Sequence, residues 1–283
     1  MAERVVLART GGPVDPGRFA EATGAEVTGA EVIAVVVDLG QRPGSLAAVR
    51  DAVEPVVVDA REEFAADYCL PAVRANALDA AGRPPLPALA DALVARHLVE
   101  AARRHGARTV AHDRADRARF ETAVAALAPD LVVVAAGTRA APAAAPPAAD
   151  DAPDPEELVV TFDRGVPVAV DGETVTALQA VREIDRRAGA TAGVAALATA
   201  HRELEGVTLE RDVARFKRRV ERRWGELVRA GLWSSPLKHA LDAFITTTQR
   251  DVSGEVRLVL HGGRAVVADR RADEPWYDFA LAT

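Results

Sequence analysis

Apolar residues in the first half of the chain come in short Val-rich runs at positions 4–8, 32–37, 55–59, 108–111 and 131–135. Each run is too short for a helix and is apolar at successive positions, the pattern of a parallel strand buried on both faces. Between the runs the period changes. Over residues 86–105, Leu89, Leu93, Leu98 and Ala102 recur near helical spacing, and Gly106 follows as a C-cap. Strand–helix–strand alternation implies right-handed crossovers and an open α/β sheet.

From Gly137 to Pro155 the pattern gives way to Ala, Pro and Asp, with Pro142, Pro146, Pro147, Pro153 and Pro155. Proline removes backbone donors and favours extended chain, so a semi-rigid linker is expected. Beyond it, residues 158–162 and 166–170 flank Arg164-Gly165 and predict a hairpin. Residues 174–187 predict a helix. Leu209, Val213, Phe216, Val220, Trp224 and Leu227 mark one face of a longer helix, with Thr208 as its N-cap. Ser235-Pro236 opens another, with Leu237, Leu241, Phe244 and Ile245 turned inward. Residues 255–261 and 264–270 around Gly262-Gly263 predict a second hairpin. The expected organisation is an α/β domain over 1–137, a linker over 138–155 and a smaller α+β domain over 156–283.

Composition narrows the function classes. The 283 residues are 49% hydrophobic and 27% charged, the balance of a soluble globular protein of one large domain or two ordinary ones. No apolar run approaches the roughly 18 residues of a membrane span, and the N-terminus lacks signal-peptide architecture, so a cytoplasmic protein with no membrane partner is expected. Cys69 is the one cysteine, which excludes an internal disulfide and a Cys-based zinc site. The net charge of −7 argues against a nucleic-acid partner. The only lysines are Lys217 and Lys238, so a phosphate site in the first half has to work without lysine. His97, His201, His239 and His261 stand without an Asp or Ser partner at useful spacing and read as structural. No His/Asp/Glu cluster has metal spacing. Residues 207–223 are Arg-rich. With Glu205, Glu210 and Glu221 nearby they read as a solvated polar face, and an acidic-partner surface is the alternative.

Several blocks carry a resemblance. Residues 156–170 read Glu-Glu-Leu-Val-Val-Thr-Phe-Asp-Arg-Gly-Val-Pro-Val-Ala-Val. Residues 198–205 read Ala-Thr-Ala-His-Arg-Glu-Leu-Glu, and Gly225-Glu226-Leu227-Val228, Gly231-Leu232-Trp233 and residues 252–258 follow in order. Val36-Val37-Asp38-Leu39-Gly40-Gln41, Asp67-Tyr68-Cys69-Leu70-Pro71 and Phe120-Glu121 extend the series into the first half. In these blocks the chain resembles the argininosuccinate synthase family. The resemblance implies an adenine nucleotide alpha hydrolase-like domain followed by a synthetase-type α+β domain. It also implies ATP with Mg as cofactor and citrulline and aspartate as substrates. The ureido oxygen of citrulline attacks the α-phosphate to give citrullyl-AMP and pyrophosphate, and the aspartate amine then displaces AMP. Positioning and donors aimed at phosphate oxygens do most of that work.

The resemblance places nucleotide-binding positions at Ala8, Thr10, Gly11, Gly12, Val37 and Asp38, and a substrate-binding position at Arg119. No catalytic residue and no metal ligand is assigned. Around these positions the chain departs from the family. The phosphate loop after the first strand keeps Gly11-Gly12, but Pro13 and Pro16 each delete an N–H and Val14 replaces the motif Asp. Asp38 is expected either beside the adenine or simply as a loop cap. Both tyrosines of the citrulline segment are missing from residues 78–92, and the family's Arg-Pro has become Asp91-Ala92, an inversion of charge. The Gly-Lys-Gly-Asn-Asp core of the substrate loop is absent from residues 112–121, where Asp113 is expected as a helix cap. Ala190–Ala198 stands where the family has a Glu- and Tyr-bearing citrulline block, and the family's C-terminal oligomerising extension has no counterpart. Two readings follow: a divergent ligase, or a pseudoenzyme kept as a nucleotide-binding, regulatory or interaction module, alone or in a homo- or hetero-oligomer.

Overall fold

The computed structural model describes residues 4–9, 31–40, 56–135, 155–189 and 192–275. The chain forms two compact units. Unit 1 comprises Met1–Phe64, Pro87–Ala143 and Val228–Ser235; unit 2 comprises Ala65–Leu86, Ala144–Leu227 and Pro236–Thr283.

Unit 1 is built on five parallel strands: β1 (Arg4–Arg9), β2 (Glu31–Asp38), β3 (Val56–Asp59), β4 (Thr109–His112) and β5 (Val132–Ala135). Their order is β3-β2-β1-β4-β5. All five predicted runs are strands, to within a residue or so. The expectation of burial on both faces holds for the central strands, where Val5, Val6, Val35, Val36 and Val110 are fully enclosed. It fails at β3 and β5, where Val57 and Val132 are half exposed. Both are edge strands with a single neighbour, so part of their surface is left to solvent. Among the described residues this unit holds α1 (Arg61–Glu63), α3 (Leu86–His105, from Pro87 on) and α4 (Arg117–Leu127). Between α1 and α3 the chain runs through a π-turn at Phe64–Cys69 and the short α2 (Leu70–Arg74). Leu89, Leu93, Leu98 and Ala102 of α3 are all buried, as their spacing predicts. Helix α4 is capped by Asp116, whose carboxylate accepts the N–H of Arg119 at 3.1 Å. The cap expected at Asp113 is therefore three residues early: a cap carboxylate reaches the N–H two or three positions on, and only Asp116 stands at that distance from the first turn.

Unit 2 carries an antiparallel sheet of β6 (Glu156–Asp163), β7 (Val166–Val170), β8 (Glu173–Thr174), β9 (Gly254–His261) and β10 (Arg264–Ala272), in the order β10-β9-β6-β7-β8. Burial alternates along β6 and β9, so Leu158, Val160, Phe162, Val256, Leu258 and Leu260 share one inner face. Helices α5 (Ala177–Ala188) and α6 (Gly193–Thr208) contact that sheet. Helix α7 (Arg211–Arg229, in this unit as far as Leu227) and α8 (Pro236–Thr248) complete it. Cys69, on the π-turn, is buried.

Both predicted hairpins form. The helix expected from residue 174 starts at Ala177, because Thr176 and Gln179 close a capping box and residues 173–174 pair with β7. Thr208 ends α6 instead of capping α7: its hydroxyl donates back to the Leu204 carbonyl at 3.1 Å. The carboxylate of Glu210 accepts the Val213 N–H at the start of α7. Phe216 and Leu237 are 51% and 45% exposed, so the inward faces drawn for α7 and α8 are narrower than their apolar spacing suggests. Among the described residues no helix is long and apolar enough to cross a membrane.

Candidate functional site

In unit 1 the chain moves outward from β1 through β2 to β3, then returns to lay β4 and β5 on the other side of β1. The switch point lies between β1 and β4, and the carboxyl ends of strands at such a point are where open α/β sheets bind ligands. Ala8 sits there in register with Val35 of β2 and His112 of β4. Val37 is fully buried one residue before the end of β2. Asp38 Oδ1 accepts the N–H of Gly40 at 2.8 Å, and Oδ2 lies 3.8 Å from the Arg61 guanidinium, which is itself paired with Asp59. Asp38 thus caps its loop, one of the two expected roles. Thr10, Gly11 and Gly12 lie outside the described residues, as does the segment expected as a linker, apart from Pro155.

His112 at the end of β4 is buried against Phe120, with ring centroids 4.6 Å apart. Its Nδ1 accepts the Arg114 N–H at 3.2 Å, and Nε2 lies 3.8 Å from Glu121. Burial holds this imidazole below its usual range, and Glu121 opposes that shift.

The position that the resemblance marks for substrate is already engaged. Arg119 reaches Asp91 through Nε at 2.7 Å and a terminal nitrogen at 2.6 Å, and Asp116 through the other at 2.8 Å. Arg114 Nε meets the second Asp91 oxygen at 2.5 Å. Asp91 is 1% exposed on the inner face of α3. A carboxylate so enclosed needs its cations, because an unpaired buried charge is far costlier than a pair. The negative charge at position 91 is therefore neutralised from within. Gly231 presses against the same segment: with φ of +79°, its backbone lies so close to the Arg119 carbonyl that a Cβ would overlap the oxygen.

Unit 2 holds a second buried polar cluster, which the spacing of the histidines did not reveal. Lys217 is buried, not on the solvated face expected for it. Its ammonium donates to Glu221 at 2.5 Å, Glu205 at 3.1 Å and the Arg74 carbonyl at 2.7 Å. Asn76 donates to both carboxylates, at 2.6 and 2.7 Å. His201 lies between Asn76 Oδ1 at 2.9 Å and Gln249 Oε1 at 2.5 Å, and Gln249 donates to Glu205 at 2.8 Å. His201 is structural, as expected, but it has partners. Burial pushes its imidazole down to about 4, against the opposing field of Glu205. The i,i+4 spacings His201/Glu205 and Lys217/Glu221 were the available signal; Asn76 and Gln249 had none. Gly165 closes the cluster, since a side chain there would strike Gln249 and His201. Among the described residues no group of His, Cys, Asp and Glu could hold a metal ion.

Two protein-family models match the chain. The model described as the arginosuccinate synthase N-terminal HUP domain matches residues 4–144. The arginosuccinate synthase C-terminal domain matches residues 139–196 and 190–283. The chain belongs to the argininosuccinate synthase family. The parallel sheet of unit 1 is the sheet of the HUP domain, the family's ATP-binding domain, and the antiparallel sheet lies within the C-terminal match. The C-terminal domain matches in two segments, which overlap at residues 190–196.

Proposed function

We propose that this chain keeps the argininosuccinate synthase fold without the ligase activity: a pseudoenzyme of the family, with the nucleotide end of the site partly retained and the amino-acid end lost. The observation that carries the reading is the Asp91–Arg119 pair. The family has Arg at position 91; here Asp91 is buried there and takes the one side chain matched to a substrate contact. A guanidinium committed to two carboxylates has little donor capacity for a third. Each interaction lost from a transition state costs tenfold in rate per roughly 1.4 kcal/mol, so several losses together leave little turnover.

On this reading ATP binds weakly through the ends of β1 and β2, with Ala8, Thr10, Gly11, Gly12, Val37 and Asp38 as the contacting positions. Mg arrives on the triphosphate. We place the protein in the cytoplasm, without nucleic acid or membrane as partners and with a homo- or hetero-oligomer open to it. We place its domain boundary in residues 138–155, where the two family matches meet. The competing reading, ATP-dependent ligation of citrulline and aspartate, is favoured by a match that runs from residue 4 to 283. A pyrophosphate-release assay with citrulline, aspartate and Mg·ATP separates the two. No release above an enzyme-free control is expected, with weak calorimetric heat on adding ATP. Release that requires all three substrates would establish the ligase.

A further inference from the structure

Helix α7 carries an unusual surface for an acidic protein. Arg211, Arg215, Arg218 and Arg222 follow one another at spacings of four, three and four residues, which is one line along a helix. Arg219 and Arg223 run beside them, and all six are exposed. Arg215 is paired with Asp212 and Arg223 with Glu226. Arg218, Arg219 and Arg222 have no hydrogen-bond or ion-pair partner among the described residues.

A face shaped only by solvation would alternate its charges, because opposite charges four apart stabilise a helix and like charges destabilise it. Here Arg211/Arg215, Arg215/Arg219, Arg218/Arg222 and Arg219/Arg223 are all like pairs at that spacing. Elsewhere three pairs show the other arrangement: Arg83–Asp79, Arg117–Glu121 and Arg187–Glu183 each answer an arginine with a carboxylate four residues away. The stripe is thus a locally repulsive array in a chain of net charge −7. An apolar feature borders it. Phe216 is half exposed and meets Phe244 of α8 edge-on, with ring centroids 5.2 Å apart.

We propose that this face of α7 is a docking surface for an acidic segment of a partner protein, one that alternates carboxylates with bulky apolar side chains. Guanidinium groups pair with carboxylates through two parallel hydrogen bonds, and the Phe216–Phe244 pair supplies an apolar anchor beside them. The ligand supplies the charges that the helix lacks and relieves its self-repulsion. A polyanion that runs beyond the stripe, such as RNA, meets the acidic remainder of the molecule, which disfavours it. The inference stands whether or not the chain turns over citrulline.

The test uses the full chain and a fluorescent peptide of alternating Glu and Leu/Phe, long enough to span α7, read by anisotropy. Salt-sensitive binding is expected, weakened at least tenfold in R218E/R219E/R222E and severalfold in F216A. The peptide with Gln in place of Glu should bind at least tenfold more weakly. Because the three arginines are exposed, the charge-reversed protein is expected to melt no lower than the parent. R218Q/R219Q/R222Q provides the same loss of binding with a milder change. The proposal is overturned if the acidic peptide fails to bind. It is equally overturned if both triple variants bind it as tightly as the parent, or if oligouridylate of equal length binds more tightly than the peptide.

Discussion

The two buried charge clusters make opposite use of the same chemistry. In unit 2, Lys217, Glu205, Glu221, Asn76, His201 and Gln249 satisfy one another, and two of them, His201 and Glu205, fall in a block that carries the family resemblance. In unit 1, Asp91, Arg114, Arg119 and Asp116 form a smaller set, assembled around the position where the resemblance led to the expectation of an arginine. The first cluster is deep: Lys217 and His201 are essentially inaccessible. The second is shallower on its cationic side, since both arginines keep an edge toward solvent. The deep cluster holds the fold of unit 2, and the shallower one engages Arg119, the position that the resemblance marks for substrate.

The sharpest way to break this comparison is Lys217→Met. It strips the buried Glu205 and the partly buried Glu221 of their bonded cation, and such losses cost about 3–5 kcal/mol. Urea denaturation should show that loss, and a loss below about 1 kcal/mol would mean that water enters the cluster.

The pH dependence of unit 2 comes next. The imidazole of His201 is depressed to about 4 by burial, and Glu205 is also lowered, through His201 and Lys217 against its own burial. Both groups bind protons less readily folded than unfolded. Stability is then full above the unfolded histidine value of about 6.5 and is lost as pH falls toward 4, by up to about 3 kcal/mol for the histidine. Melting followed from pH 8 to 4 should show this acid slope, and His201→Gln should flatten it. The amide oxygens of Asn76 and Gln249 pull the other way, toward the charged ring. A stability that falls instead as pH rises above 6.5 would mean that they prevail.

Asp91→Asn probes unit 1 and should cost less, about 2 kcal/mol, because Arg114 and Arg119 can turn partly to water. The calorimetric heat with ATP should not change; a changed heat would tie the cluster to nucleotide. Asp116→Ala should cost about 1 kcal/mol through the lost cap, and hydrogen exchange should rise only in the first turn of α4.

The strands were legible because a run of valines admits few other structures. The helices were legible wherever a cap and a period agreed, as at Ser235-Pro236. Thr208 misled because a threonine hydroxyl serves equally to start a helix or to bond back into one, and the apolar period runs through Leu209 across the break. The departure at position 91 was legible as a charge inversion, but its consequence was not. Asp91 meets partners 23 and 28 residues away, and Asn76 meets His201 at a separation of 125. Contacts of that range depend on how elements pack, and no local pattern encodes them.

The single thiol offers a last consequence. Cys69 is 3% exposed, and burial raises its thiol to about 12, so the folded form holds almost no thiolate. Alkylation by iodoacetamide must then wait for the π-turn to open. Its rate is a clock for native-state breathing in this segment, readable by mass spectrometry without any substrate.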